Sequence, residues 1–313
     1  MIFCLTLNPS IDTEIFVPAL LGRDVKAYQV SYRIAGKAIN VAETLISSGN
    51  NCHSMVFAGI SDGRATLTKE HELFLHPDPM RQNFSIFEHD ELTAHIRSPF
   101  QTTLQRLMPL FERLVDRCRS EDIIVLSGTI PTLTDDPNYT DITKYFSALN
   151  GQIVLDTRSF DLSMLLRLAP HTLKINASEF RHTFGIEDDA ALTNEHVLAA
   201  ARLINARVIV TQGGGTVLAA DAYGDAFSCQ ILQMGVSERA SVIGSGDSFL
   251  GGYTAALNAC GSFRECVVNG AAFGVARQAS NTLSDIIFDE ASILDIRGYV
   301  EIVEVTPPRT SQH

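Results

Sequence analysis

Positive charge is scarce in this sequence. Twenty-four Lys and Arg stand against 36 Asp and Glu, a formal net charge of −12 over 313 residues. No run of Lys or Arg occurs, so a nucleic-acid partner, which needs a basic face, is excluded. An acidic chain can still hold a small phosphorylated ligand with one or two local cations, and the excess acid otherwise serves solubility. Long apolar runs are absent too: nothing approaches the ~20 residues that span a bilayer. The opening "MIFCLTLNPSID" has no basic stretch ahead of a long apolar one, so it reads as a first strand and not as a secretion signal. Cys4, Cys52, Cys118, Cys229, Cys260 and Cys266 are scattered, with no C-x-x-C pair and no histidine cluster. Reduced, mostly buried thiols in a cytoplasmic protein are expected. There is no internal repeat, low-complexity tract or linker. Neither G-x-x-x-x-G-K-[ST] nor a G-x-G-x-x-G after a strand occurs, which excludes a P-loop and leaves a dinucleotide oxidoreductase poorly supported.

What is present is ample apolar residue, 45% of the chain, in a regular alternation. "IFCLTLN", "CHSMVFAGI", "DIIVLSG", "QIVLDT", "TLKIN" and "RVIVTQGG" read as strands. "AINVAETLISSG", "TLQRLMPLFERLVDRC", "DITKYFSALNG", "LSMLLRLA", "ASEFRHTFG" and "EHVLAAARLINA" carry helical spacing. Apolar strands alternating with helices predict an α/β fold: a mostly parallel sheet with helices on both faces. "FSIFEHDELTAHI" predicts a hairpin that breaks the rhythm, as does the segment after Asp12. One domain over residues 1–313 is expected, with a small β lid from about 12–34 and 82–98. The apolar Phe84, Ile86, Phe87 and Ile96 serve either the lid's inner face or a homodimer through the lids.

In open α/β sheets ligands sit at the carboxyl ends of strands. Asp12, Ser127, Gly128, Thr129, Asp156, Lys174, Asn176, Glu179, Thr211 and Gly213 all fall at such ends. The most telling stretch is "SVIGSGDSFLGGYTAAL". Gly244, Ser245 and Gly246 let backbone N–H groups approach a ligand, and a helix starting near Gly246 or Asp247 adds its dipole to an anion site. Asp247 there suits a base that deprotonates an alcohol during phosphoryl transfer; equally, it suits a helix cap. "AGKAINVAETL" is a second small-residue loop feeding a helix. Gly36 admits a ligand to the backbone, Lys37 suits a phosphate and Asn40 suits sugar hydroxyls.

Together these stretches resemble the ribokinase superfamily of sugar kinases, the PfkB family, over nearly the whole chain. "AGKAIN" stands where that family shows GGKGxN, "LSGTIP" for a SGSLP-like stretch, "LKINASE" for KPNxxE, "VTQGGG" for SLGxxG and "VIGSGDSFLGG" for VGAGDSFxAG. "TLNPSID", Lys37 and "MRQN" point to the phosphosugar branch, which includes 1-phosphofructokinases and tagatose-6-phosphate kinases. The resemblance implies that Asp247 is the catalytic base and that Gly244, Ser245 and Gly246 form an anion hole. It implies that Asp12, Gly36, Lys37 and Asn40 hold the sugar, with Lys37, Arg81 and Lys26 toward its phosphate. Lys174, Thr211, Gly213, Ser280 and Asn281 then face ATP, and Asn176 and Glu179 organise Mg²⁺ through water.

Two departures stand out. Ala35 and Ala38 replace glycines, and a methyl group at a positive φ would be strained. The segment from Gly59 to Arg81 is short. The expected activity is ATP-dependent phosphorylation of fructose 1-phosphate to fructose 1,6-bisphosphate. Tagatose 6-phosphate or another sugar is the near alternative, and a noncatalytic phosphosugar-binding regulator the distant one.

Overall fold

A computed structural model describes residues 1–20, 24–60, 67, 71–89, 91–188, 190–212, 215–231, 244–279 and 290–304. The chain opens with β1 (Ile2–Thr6), β2 (Ser10–Val17), β3 (Gln29–Ala35), α1 (Lys37–Ser47) and β4 (Cys52–Ile60). Next come β5 (His71–Pro79), β6 (Arg81–Glu88), β7 (Glu91–Arg97), β8 (Gln101–Thr102) and α2 (Leu104–Arg117). The middle holds β9 (Ile123–Ser127), β10 (Thr132–Leu133), α3 (Thr140–Ser147), β11 (Gln152–Asp156), α4 (Leu162–Leu168), β12 (Thr172–Asn176) and α5 (Ala177–Phe184). It continues with α6 (Asn194–Ile204), β13 (Arg207–Gln212), β14 (Thr216–Ala220), β15 (Ala226–Ile231), α7 (Ser245–Asn258), α8 (Phe263–Ala279), α9 (Glu290–Arg297) and β16 (Val300–Glu304).

Among the described residues, ten strands form one sheet in the order β16-β15-β14-β13-β12-β11-β9-β1-β4-β5. From β5 to β13 every pairing is parallel; β14, β15 and β16 close that side antiparallel. The fold is α/β, as the alternation predicts. The parallel strands are apolar at nearly every position because both faces are covered. Alternation sends Phe3, Leu5, Ile124, Leu126, Ile153 and Leu155 to a core shared with α2, α3, α4, α5 and α6. It sends Ile2, Cys4, Ile123, Val125, Val154 and Ile209 to the opposite core, under α1, α7 and α8.

A second sheet of four strands, in the order β3-β2-β6-β7, stands apart from the first. Its register places Arg33, Asp12, Asn83 and Arg97 in one row across the strands. Phe84, Ile86 and Ile96 fall on the opposite face, whereas Phe87 lies past a register shift and stacks on Phe16 at 4.7 Å. The short segment before Arg81 contains β5, a strand that periodicity did not reveal. It pairs parallel with β4 at the sheet margin and carries Pro77 and Pro79. Neither Ala35 nor Ala38 has a positive φ. Ala35 ends β3 and Ala38 lies in α1, both buried, so the expected strain does not arise.

Helices α7 and α8 pack as an antiparallel-type hairpin at a glycine contact. A Cβ on Gly252 would stand 2.5 Å from Phe273 Cγ. Gly→Ala inside a helix ordinarily stabilises, by ~0.5–1 kcal/mol. Here overpacking against a buried ring, ~1–3 kcal/mol, outweighs that gain. Gly252→Ala should therefore lower the unfolding free energy, read as a lower denaturant midpoint with an unchanged slope.

Candidate active site

The site is built where strand ends, two helix starts and the four-stranded sheet meet. Helix α7 begins at Ser245, slightly earlier than the sequence predicts, after Gly244 at φ 84°, a left-handed value that glycine tolerates without strain. The N-cap of α7, Gly244, supplies no side-chain cap. Asp247 sits in its first turn, buried at 7% exposure, and its carboxylate does not cap the helix. Its Oδ2 instead accepts a hydrogen bond from Asn40 Nδ2 at 2.7 Å. Asn40 comes from α1, whose start at Gly36 also lacks a side-chain cap. Thr44 of α1 and Ser248 of α7 approach at 3.4 Å between hydroxyls, and Tyr253 Oη lies 2.9 Å from Thr172 Oγ1, which fixes α7 over β12.

Beside Asp247 lies a buried carboxylate between two ammonium groups. Asp156, at the end of β11, accepts from Lys37 Nζ at 3.2 Å and from Lys174 Nζ at 3.1 Å. Burial alone would raise the Asp156 pKa; the two lysines outweigh it and hold the carboxyl below its usual value. Burial and the like charge of Asp156 push Asp247 the other way, up to about 6, against the opposing pull of Lys37, Asn40 and Lys174. Lys174 is itself buried, and a Cβ on Gly246 would stand 3.3 Å from its Nζ, which places that ammonium at the start of α7. Lys37 is half exposed. Burial pulls its pKa down, but Asp156, Asp247 and Glu179 together hold it above its ordinary value.

The small sheet supplies the other wall. Asp12 Oδ1 accepts from Ser10 at 2.7 Å and from Asn83 Nδ2 at 2.8 Å. Arg81 Nη2 donates to the Asn8 carbonyl at 3.3 Å. Burial lowers the Arg81 pKa, with Asp12 opposing and Arg97 reinforcing the shift. Several buried polar atoms here have no partner among the described residues: Thr6 Oγ1, Asn8 Oδ1, Arg81 Nε, Asn83 Oδ1 and Ser127 Oγ. Such orphans are costly unless a polar ligand or water meets them.

The remaining expected residues divide. Thr211 ends β13 directly opposite Asn176 in the register. Asn176 and Glu179 form a reciprocal capping box at the start of α5: Asn176 Oδ1 accepts from Glu179 N at 2.9 Å, and Glu179 Oε2 from Asn176 N at 3.1 Å. That leaves Glu179 Oε1 outside the box. No group of three or more His, Cys, Asp or Glu among the described residues is arranged to grip a metal directly. Lys26 is exposed between β2 and β3 and makes no ion pair among the described residues. Gly213, Ser280 and Asn281 lie outside the described residues. Sequence reasoning assigned no role to three residues that matter here. Asp156 was visible only as a strand end. Arg33 donates to Asn40 Oδ1 at 3.4 Å. Arg277 of α8 is 4% exposed, its pKa lowered by burial and by Arg33 while Asp247 opposes.

An open sheet with its polar residues gathered at the carboxyl edge, a buried aspartate at a glycine-led helix and a small sheet beside it define a ribokinase-like α/β protein. The chain matches the model of the pfkB family carbohydrate kinases over residues 5–284 and belongs to that family. It is thereby an ATP-dependent sugar kinase. It is similar to the 1-phosphofructokinase of Borreliella burgdorferi, 23% identical over 295 residues, covering 91% of this chain and 94% of that one. It is also similar to the 1-phosphofructokinase of Xanthomonas campestris pv. campestris, 27% identical over 297 residues, 88% and 90% covered. Among solved structures, phosphofructokinase-2 of Escherichia coli in complex with substrates and products superposes with a TM-score of 0.77, at 23% identity and 95% and 98% coverage. A ribokinase of Thermotoga maritima does so at 0.72, with 17% identity over 95% and 98%.

The raised Asp247 pKa has a stability consequence. A carboxyl whose folded pKa exceeds its unfolded value costs stability as pH rises between the two, and the full cost persists above the folded value. Asp247→Asn should therefore melt higher than the parent above pH 6, by up to ~3 kcal/mol. The gap should close toward pH 4, as thermal melts across that range would show.

Proposed function

We propose that the protein transfers the γ-phosphoryl group of ATP to the free primary hydroxyl of fructose 1-phosphate, giving fructose 1,6-bisphosphate. The observation that carries this reading is Asp247: a buried carboxylate in the first turn of α7, held by Asn40 and raised to about 6. That value leaves it ionised at neutral pH yet more basic than an ordinary aspartate, as a general base requires. Asp247 takes the hydroxyl proton as the oxygen attacks phosphorus. Gly244, Ser245 and Gly246 present the start of α7 to the transferring phosphoryl group, where the helix dipole and Lys174 offset its charge.

Asp12, Gly36 and Asn40 hold the sugar, and the orphaned atoms of Thr6, Asn83 and Ser127 offer it further hydrogen bonds. Arg81 and the half-exposed Lys37 face its phosphate, and Lys26 lies on the neighbouring segment. The small sheet acts as a lid over this pocket. Lys174 and Thr211 face the nucleotide, along with Gly213, Ser280 and Asn281. The residues fit a magnesium ion held mainly through water: Glu179 keeps one carboxylate oxygen outside its capping box, and Mg²⁺ retains several waters at such sites. When bound, the ion neutralises phosphate charge. The choice of fructose 1-phosphate follows the names of the curated relatives.

The apolar face of the small sheet, with Val30 43% and Ile96 55% exposed, suits pairing with a second copy. A cytoplasmic setting agrees with six cysteines that form no disulfide.

The test is ADP release with ATP and Mg²⁺ across fructose 1-phosphate, tagatose 6-phosphate, fructose 6-phosphate and fructose. Turnover is expected on fructose 1-phosphate, with an acidic limb of kcat/KM near pH 6. Asp247→Asn should keep the fold and lose ~10²-fold or more in kcat. Folded protein that binds ATP but turns over none of the four sugars would support a noncatalytic phosphosugar-binding regulator instead.

A further inference from the structure

Arg33 forms no described bond to Asp247, yet one side chain ties the two together. Arg33 Nη2 donates to Asn40 Oδ1 at 3.4 Å, and Asn40 Nδ2 donates to Asp247 Oδ2 at 2.7 Å. A guanidinium only donates and an ionised carboxylate only accepts, so the amide between them has a single admissible orientation. Asn40 and Asp247 are 8% and 7% exposed, so bulk water does not stand in for either bond. The three residues belong to three elements. Asn40 and Asp247 lie on α1 and α7, which touch directly through Thr44 and Ser248. Arg33 lies on β3 of the small sheet, directly across from Asp12.

We propose that Arg33 is a positioning residue for Asp247. By holding the Asn40 oxygen, it commits the amide N–H to Asp247 Oδ2 and leaves Oδ1 to receive the substrate's hydroxyl proton. It also ties that arrangement to the small sheet that carries Asp12. This rests on the reading of Asp247 as the base. Without Arg33, the Asn40 amide is free to turn its oxygen toward the carboxylate, a pairing that only a protonated Asp247 accepts. The base then spends less time ionised, and the oxygen that takes the proton is no longer fixed. The other charged groups facing Asp247 are Asp156 of β11, Lys37 of α1, Lys174 of β12 and Arg277 of α8, none of which is altered in the variants below.

The experiment compares the full chain with Arg33→Met, Arg33→Lys, Asn40→Leu and the Arg33→Met/Asn40→Leu double variant. Arg33→Met should lower kcat by ~10-fold or more, approaching the cost of a misplaced catalytic group, with little change in KM for ATP. Its acidic limb of kcat/KM should move to higher pH, and Arg33→Lys, which still donates to Oδ1, should move it back. The double variant should be no slower than Asn40→Leu alone, because the two residues act as one unit. Wild-type kcat and limb position in Arg33→Met, or independent effects that multiply in the double variant, would overturn the proposal. Silence of the parent enzyme on every sugar is a failure of the functional reading, and a melting cycle on the same variants, which needs no substrate, tells the two apart. Non-additive melting shifts support the Arg33–Asn40 tie, and additive shifts overturn it.

Discussion

The two bonds that Asp156 accepts from Lys37 and Lys174 organise the candidate site at the carboxyl edge of the sheet. Asp156 and Lys174 are buried and Lys37 reaches them from a half-exposed position; removing one member of the buried Asp156–Lys174 pair strands the other, at ~3–5 kcal/mol. The same carboxylate does two jobs. It pins Lys174 under the start of α7, and its negative charge helps make the neighbouring Asp247 more basic. On the proposed reading of Asp247 as the base, cohesion and chemistry thus draw on one group. A chain with a net charge of −12 gathers Lys37, Lys174, Arg33, Arg81 and Arg277 around this end, a local reversal that suits two phosphorylated ligands.

The scaffold beneath is set by close approach. Strands buried on both faces hold the polar residues at their ends in register, and α7 reaches Asp247 into place because α1 and α8 can lie against it. Phe273 occupies the space a side chain at position 252 would need. The placement of Asp247 therefore also draws on glycines of α7, at positions that carry no side chain.

Much of this was legible beforehand, and the reason is physical. Strands β1, β4, β9, β11, β12 and β13 announce themselves as apolar runs ending in polar residues, and the glycines before Asp247 mark a helix start open to an anion. What stayed hidden needed the third dimension. β5 alternates His, Glu, Leu and Pro, which obscures its period, and it is a strand only because β4 lies beside it. Arg33 and Arg277 look like surface residues in the sequence; sheet register places one opposite Asp12, and burial places the other near Asp247. The N-x-x-E spacing of Asn176 and Glu179 suggests magnesium in the sequence; in the structure the same spacing closes a capping box. The concern over Ala35 and Ala38 dissolved because their backbone is ordinary strand and helix.

Strand β5 carries a further consequence. A sheet of ten strands has two margins, and an uncovered margin is a template on which other chains polymerise. On one side Pro77 and Pro79 offer no N–H to a newcomer, and on the other β16 carries Glu301, whose charge opposes stacking of like copies. The prolines that help hide β5 from sequence reading thus also make it a poor template for another strand.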